Sequence, residues 1–213
     1  MARILITSGP TRQYLDPVRY LTNGSSGRMG RALAAAALDL GHSVVIVSGP
    51  VELQYPPAAE VIRVVTTDEM LAACLKFFPK CDGLIAAAAP CDYRPVRVAA
   101  HKISKTGQPL ALELVETPDI VATLGAGKNE FQWLVGFALE TKDHRIRAQV
   151  KLEKKSCDLM VANGLAAMNS TDNHVEIIDR RGQLVDALQG TKEDVARGIL
   201  EIIDLRLIHG SWT

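Results

Sequence analysis

The segment Asn23-Gly24-Ser25-Ser26-Gly27-Arg28-Met29-Gly30 runs directly into an apolar helical stretch at residues 32–38. Glycines let a backbone approach a phosphate closely. Free N–H groups at the start of the following helix then hold the anion, helped by the helix dipole. Gly9 closes the first apolar run, where a ligand of a parallel sheet would lie. A glycine-rich loop alone does not exclude a plain structural turn. Three features argue against a dinucleotide-binding unit. A long segment, 9–22, separates the first strand from these glycines. Their spacing is G-x-x-G-x-x-G. The second strand ends in Val47-Ser48-Gly49-Pro50, with no acid for a ribose diol. An NADP-dependent reductase stays open as an alternative.

Other charged residues fall into patterns. Arg12 and Arg19 flank Asp16, and a surface ion pair is the expected arrangement. Arg147, Lys151 and Lys155 recur every fourth position, hence on one helix face. Like charges so spaced cost ~0.2–0.5 kcal/mol per pair. A triphosphate would offset that repulsion, and a solvated face would tolerate it. Cys74, Cys81, Cys91 and Cys157 form no C-x-x-C pair, and no histidine stands at metal-finger spacing. Reduced thiols and no dedicated metal site are expected.

These residues need a frame. Short apolar runs at 4–7, 43–47, 61–65, 83–87, 133–137 and 159–162 read as strands covered on both faces. Helical patterns at 29–40, 68–77, 119–124 and 144–155 lie between them. The alternation predicts an α/β, Rossmann-like, mostly parallel sheet with helices on both faces. A hairpin at 175–178 and 183–186 follows, turning at Asp179-Arg180-Arg181-Gly182. A last helix, 192–208, is capped by Thr191. Residues 98–109 mix charge, Gly and Pro and are expected to be least ordered.

The 213 residues fit a single domain, 1–213. A formal net charge of zero argues against a nucleic-acid partner. The absence of a run of about 18 apolar residues argues against a membrane span, so a cytoplasmic protein is expected.

Several motifs, in order, resemble the phosphopantothenoylcysteine synthetases. They are residues 6–12, 16–23, 25–30, 47–50, 86–95, Lys102-Ile103-Ser104-Lys105, Pro118-Asp119-Ile120-Val121, Val135-Gly136-Phe137, Glu140-Thr141 and 158–163. The resemblance implies a ligase of coenzyme A biosynthesis. In that family the carboxylate of 4′-phosphopantothenate attacks the α-phosphate of a nucleotide, CTP in bacteria and ATP in eukaryotes, releasing pyrophosphate. The amine of cysteine then displaces the nucleoside monophosphate. In many bacteria the domain follows a flavin-dependent decarboxylase. The free-standing form is expected here, with a separate decarboxylase as a candidate partner.

The resemblance also implies roles. Asn23 would hold the acyl-nucleotide, its amide donating to the developing oxyanion; a turn or helix cap is the competing reading. Lys102 would be the essential loop lysine, carried on a mobile lid. Nucleotide-binding residues would be Gly9, Ser25, Ser26, Gly27, Met29, Gly30, Ala86, Ala87, Ala88, Asp92, Lys102, Pro118, Asp119, Ile120, Val121, Phe137, Lys151 and Lys155. Mg²⁺ would enter on the triphosphate without an all-protein cage. Family members are dimers, and residues 173–188 are the expected contact. The chain departs from the family pattern at Gln13, where Glu is common, at Pro90-Cys91, where a small apolar pair is usual, at Gly164, and at Met168, Thr171 and His174. These departures keep a non-catalytic nucleotide-binding relative open as another alternative.

Overall fold

The computed structural model describes residues 1–140, 144–164 and 173–210. Six strands run parallel: β1 (Arg3–Ser8), β4 (Ser43–Ser48), β5 (Glu60–Arg63), β6 (Gly83–Ala86), β9 (Trp133–Glu140) and β10 (Leu159–Gly164). Their order in the sheet is β5-β4-β1-β6-β9-β10. β11 (Asn173–Asp179) and β12 (Leu184–Gly190) extend it antiparallel, with β12 at the edge. The α/β, Rossmann-like fold is therefore the one read from the pattern. Two short antiparallel pairs stand off the sheet: β2 (Arg12–Tyr14) with β3 (Tyr20–Thr22), and β7 (Tyr93–Pro95) with β8 (Leu114–Glu116).

Period-two alternation sorts the strands into two cores. Ile4, Ile6, Val44, Ile46, Val135 and Val161 face α1 (Arg28–Asp39) and α5 (Lys192–Ile203). Leu5, Val45, Val47, Leu84, Leu134 and Met160 face the other side. There lie α2 (Thr67–Phe77), α3 (Ile120–Gly127) and α4 (His144–Lys154). Thr66 and Glu69 make a capping box for α2, as Thr191 and Asp194 do for α5. The last helix ends at Ile203, and a π turn continues it through Asp204–Ile208.

One buried carboxylate ties the hairpin to the sheet. Asp158, fully buried, accepts from Lys128 Nζ at 2.8 and 2.7 Å, from the Leu134 N–H at 2.6 Å and from the Arg180 guanidinium at the hairpin turn. All four cysteines are free and buried. Burial pushes the Cys74 and Cys157 thiols up to about 12.

Candidate functional site

The chain leaves β1 toward β4 through α1 on one face, and enters β6 through α2 on the other. The carboxyl ends of β1 and β6 therefore flank the switch point of the sheet, where ligands of such folds bind. A cleft of about 440 Å³ opens there. Thr7 and Ala86 line it from the ends of β1 and β6, Phe137 from within β9, Ala88 and Asp92 from the loop after β6, and Tyr93 from the start of β7. Glu116, Thr117 and the segment Pro118 to Val121 line it between β8 and α3. Lys154 and Lys155 bound it at the end of α4.

The start of α3 is built by Asp119. Its side chain accepts the Ala122 N–H at 3.0 Å and pairs with Lys155 Nζ at 3.1 Å. Burial would raise this carboxyl, but the Ala122 N–H and the Lys155 ammonium outweigh it and hold it below its ordinary range. Pro118 stands one residue before this cap, so Asp119 organises the helix start rather than a proline inside the first turn. Lys154 is a cleft residue that sequence spacing missed, because it is the last residue of α4 and the strict every-fourth pattern skips it. Lys151 is half-buried in α4 and outside the cleft lining; the Arg147 side chain lies outside the described residues.

Asn23 reaches the same sheet edge from β3. Its Nδ2 donates to the carbonyls of Ala89 at 3.2 Å and Pro90 at 2.8 Å. The next carbonyl, of Cys91, accepts from Thr117 Oγ1 at 2.6 Å and Thr67 Oγ1 at 3.2 Å. The Cys91 N–H donates to Thr11 Oγ1 at 2.8 Å. Three successive carbonyls of the loop leading to Asp92 are thus held by side chains. Asn23 does not cap α1, whose N-cap is Gly27. Burial, first among its causes, raises the Cys91 thiol.

Lys102 is exposed and outside the cleft lining. Its segment carries no helix or strand, and it is anchored on either side of the lysine. The Ala99 N–H donates to Leu15 O at 2.9 Å, and Ile103 is bonded to Asp16 and Arg19. The Asp16–Arg19 pair is also not the surface pair expected, since Asp16 is fully buried. Burial would raise its carboxyl, but N–H groups of Ile103, Val18 and Arg19 and the Arg19 guanidinium hold it far below the usual range. Arg12 instead lies 4.4 Å over the Tyr20 ring.

The glycine-rich segment lies at the same edge but outside the cleft lining. Gly9, Ser25, Ser26, Gly27, Met29, Gly30 and Ala87 are all absent from it. Gly27 has φ 73°, and a Cβ there would stand 3.1 Å from Val51 and 3.3 Å from Leu53. A Cβ on Gly30 would overlap Ser8 Oγ, and one on Gly49 would overlap Pro10 O. α1, Pro10 and residues 49–53 therefore pack closely around the end of β1, which requires glycine at these positions. The first turn of α1 keeps no side-chain cap and no acid.

Comparison with known proteins shows the family of this fold. Residues 1–206 match the family described as the DNA/pantothenate metabolism flavoprotein C-terminal domain. The coenzyme A biosynthesis bifunctional protein CoaBC of Vibrio vulnificus (strain YJ016) is 44% identical over 212 residues, 97% of this chain and 53% of that protein. The chain thus spans about half the length of such relatives. The crystal structure of a CoaBC C-terminal domain superposes with TM-score 0.82 at 40% identity, covering 95% of this chain and 93% of that one. The DNA/pantothenate metabolism flavoprotein from Streptococcus pneumoniae gives 0.84 at 27% identity, covering 96% and 99%.

Proposed function

Because the chain belongs to the family of the DNA/pantothenate metabolism flavoprotein C-terminal domain, the phosphopantothenoylcysteine synthetase part of CoaBC, we propose that it ligates 4′-phosphopantothenate to cysteine through an acyl-cytidylate. The observation that carries this is one cleft. Asp92, Pro118, Asp119, Ile120, Val121, Phe137 and Lys155, scattered over more than sixty residues of sequence, line it together. A nucleotide base sits against Phe137 and the Ala86–Ala88 strand end in this reading. The triphosphate lies over the start of α3, within reach of Lys154 and Lys155.

Both chemical steps develop negative charge on transferring oxygens, so fixed donors and cations serve better than a nucleophile. Asn23 and Lys102 are the assigned catalytic residues. For Asn23 to meet the acyl carbonyl, its amide exchanges a bond to the Ala89 or Pro90 carbonyl for one to substrate. Mg²⁺ would come with the triphosphate and offset its charge, and Asp92 and Glu116 are the cleft carboxylates that would accept from its waters. The uncapped start of α1, with Ser25, Ser26, Gly27, Met29 and Gly30, offers free N–H groups to the nucleotide phosphates at the same sheet edge. Two copies pair through the open edge of β12, and the protein works in the cytoplasm, where a flavin-dependent decarboxylase supplies the next step.

The test is pyrophosphate release from 4′-phosphopantothenate, cysteine and Mg²⁺, with CTP and ATP in separate reactions. Release that depends on phosphopantothenate, with CMP as co-product, supports the proposal. Folded protein that binds CTP and releases nothing sinks it in favour of a non-catalytic nucleotide-binding relative.

A further inference from the structure

We infer that Asp16 is a positioning residue for Lys102, docking the segment that carries it through the backbone of Ile103. The inference rests on the ligase reading for its catalytic consequence and on geometry alone for the docking. Asp16 Oδ1 accepts the N–H groups of Val18 at 2.8 Å and Arg19 at 2.9 Å, which closes the turn between β2 and β3. Asp16 Oδ2 accepts Arg19 Nε at 2.9 Å and Nη2 at 2.6 Å, and then the Ile103 N–H at 3.1 Å. Arg19 Nη2 donates onward to Ile103 O at 2.5 Å. One ion pair therefore grips both polar backbone atoms of the residue after Lys102.

The turn does not need this much. An Asx turn requires one side-chain oxygen, and Asn or Ser supplies it. Burying a carboxylate carries a desolvation cost that only a full set of donors repays. The second oxygen and the guanidinium form that set, and among the described residues the distant one they serve is Ile103. Ala99 is tied to Leu15 on the other side of Lys102, at 2.9 Å. The lysine is thus held between two anchors on the β2–β3 hairpin. That hairpin also delivers Asn23, directly after β3. One small element sets the backbone of both assigned catalytic residues.

Asp16→Asn is the informative variant, because it keeps an oxygen for the turn and loses the charge that holds Arg19 and Ile103 together. Pyrophosphate release is measured for Asp16→Asn, Lys102→Ala and the double variant. Asp16→Asn is expected to lower kcat by about tenfold or more, and the double variant to match Lys102→Ala within about twofold, because the two residues act as one unit. Multiplying losses would overturn the positioning role. Hydrogen exchange of the nucleotide-free protein gives a readout that needs no activity. The Ile103 amide is expected to exchange at least about tenfold faster in Asp16→Asn. Unchanged exchange overturns the docking even where the ligase reaction is absent. Should Asp16→Asn not fold, Arg19→Gln, which leaves the Asx turn intact, is put through the same two measurements with the same expected and overturning results.

Discussion

Gln13 and Cys91 share one buried hydroxyl, that of Thr67. Gln13 Nε2 donates to Thr67 Oγ1 at 2.9 Å, and Thr67 Oγ1 donates to Cys91 O at 3.2 Å. Thr11 Oγ1 stands 2.8 Å from the same oxygen. Two of the positions at which this chain departs from its family pattern are therefore one network beneath the cleft loop.

That network makes Gln13→Glu a sharp test. Gln13 is 4% exposed, so an added carboxylate is desolvated. It also cannot donate, and the Thr67 hydrogen must turn to it and leave the Cys91 carbonyl. The Cys91 carbonyl keeps its bond from Thr117 Oγ1, so the loss is one hydrogen bond, ~0.5–1.5 kcal/mol, added to the desolvation of the new carboxylate. Gln13→Glu should melt at a lower temperature at pH 7.5 and recover part of the loss at pH 5, as the new acid is protonated. Equal melting temperatures at pH 7.5 would show that the pocket accommodates the charge.

Gly30→Ala should also lower the melting temperature, by overpacking rather than by charge. Its Cβ would overlap Ser8 Oγ and lie 2.5 Å from Ser8 Cβ. Forced expansion of a packed contact costs ~1–3 kcal/mol. Ser8→Gly in the same chain should return much of it. Lost nucleotide binding with unchanged melting would instead assign Gly30 to ligand contact.

The frame was legible because its signals are local. Continuous apolar runs at β1, β4, β6 and β10 and the Thr191 cap each speak for themselves in sequence. The β2–β3 and β7–β8 pairs were not, because each strand has only three residues and no period can show. The cleft was legible through family motifs, while Lys154 was not, because its role depends on where α4 ends. The docking of Lys102 was hidden for another reason. Asp16 and Ile103 lie 87 residues apart, and the contact runs through backbone atoms that any residue type carries.

Lys155→Ala separates binding from folding. The Lys155–Asp119 pair is half-exposed, with side chains 25% and 40% accessible, and such pairs contribute about 0–1 kcal/mol. A charge-assisted bond to phosphate is worth ~1.5–3 kcal/mol, or roughly 10–150-fold in affinity. Titration with CTP and Mg²⁺ should show that loss with melting nearly unchanged.

Asp158→Ala should be far more damaging. It leaves Lys128, 14% exposed, and Arg180 beside an empty buried site. Removing one partner of a buried pair costs ~3–5 kcal/mol, which for a chain of this size lowers melting by roughly 10 °C. Because Asp158 joins β10 to the hairpin turn, exchange in β11 and β12 should rise before the rest of the sheet. Uniform loss across all strands would contradict that order.

His42 should make stability fall on mild acidification. It is buried, and its Nδ1 accepts the Ala2 N–H at 3.2 Å. The neutral ring therefore carries its proton on Nε2, which faces Asp204 Oδ1 at 3.3 Å; His209 Nε2 stands 3.4 Å from the same oxygen. Burial, the largest cause, holds the His42 pKa below its ordinary 6.5, although Asp204 pulls the other way. The unfolded chain then takes up the proton first as pH falls. Stability from this residue is full above the unfolded value and is lost progressively below it, toward the lower folded value. Protonation would also place a donor on Nδ1 against the Ala2 N–H. His42→Asn can keep an acceptor for Ala2 and cannot titrate. Melting curves from pH 7.5 to 5.5 should therefore fall more steeply for the wild-type chain than for His42→Asn. Parallel curves would mean that Asp204 compensates the imidazolium fully and that the acid sensitivity lies elsewhere.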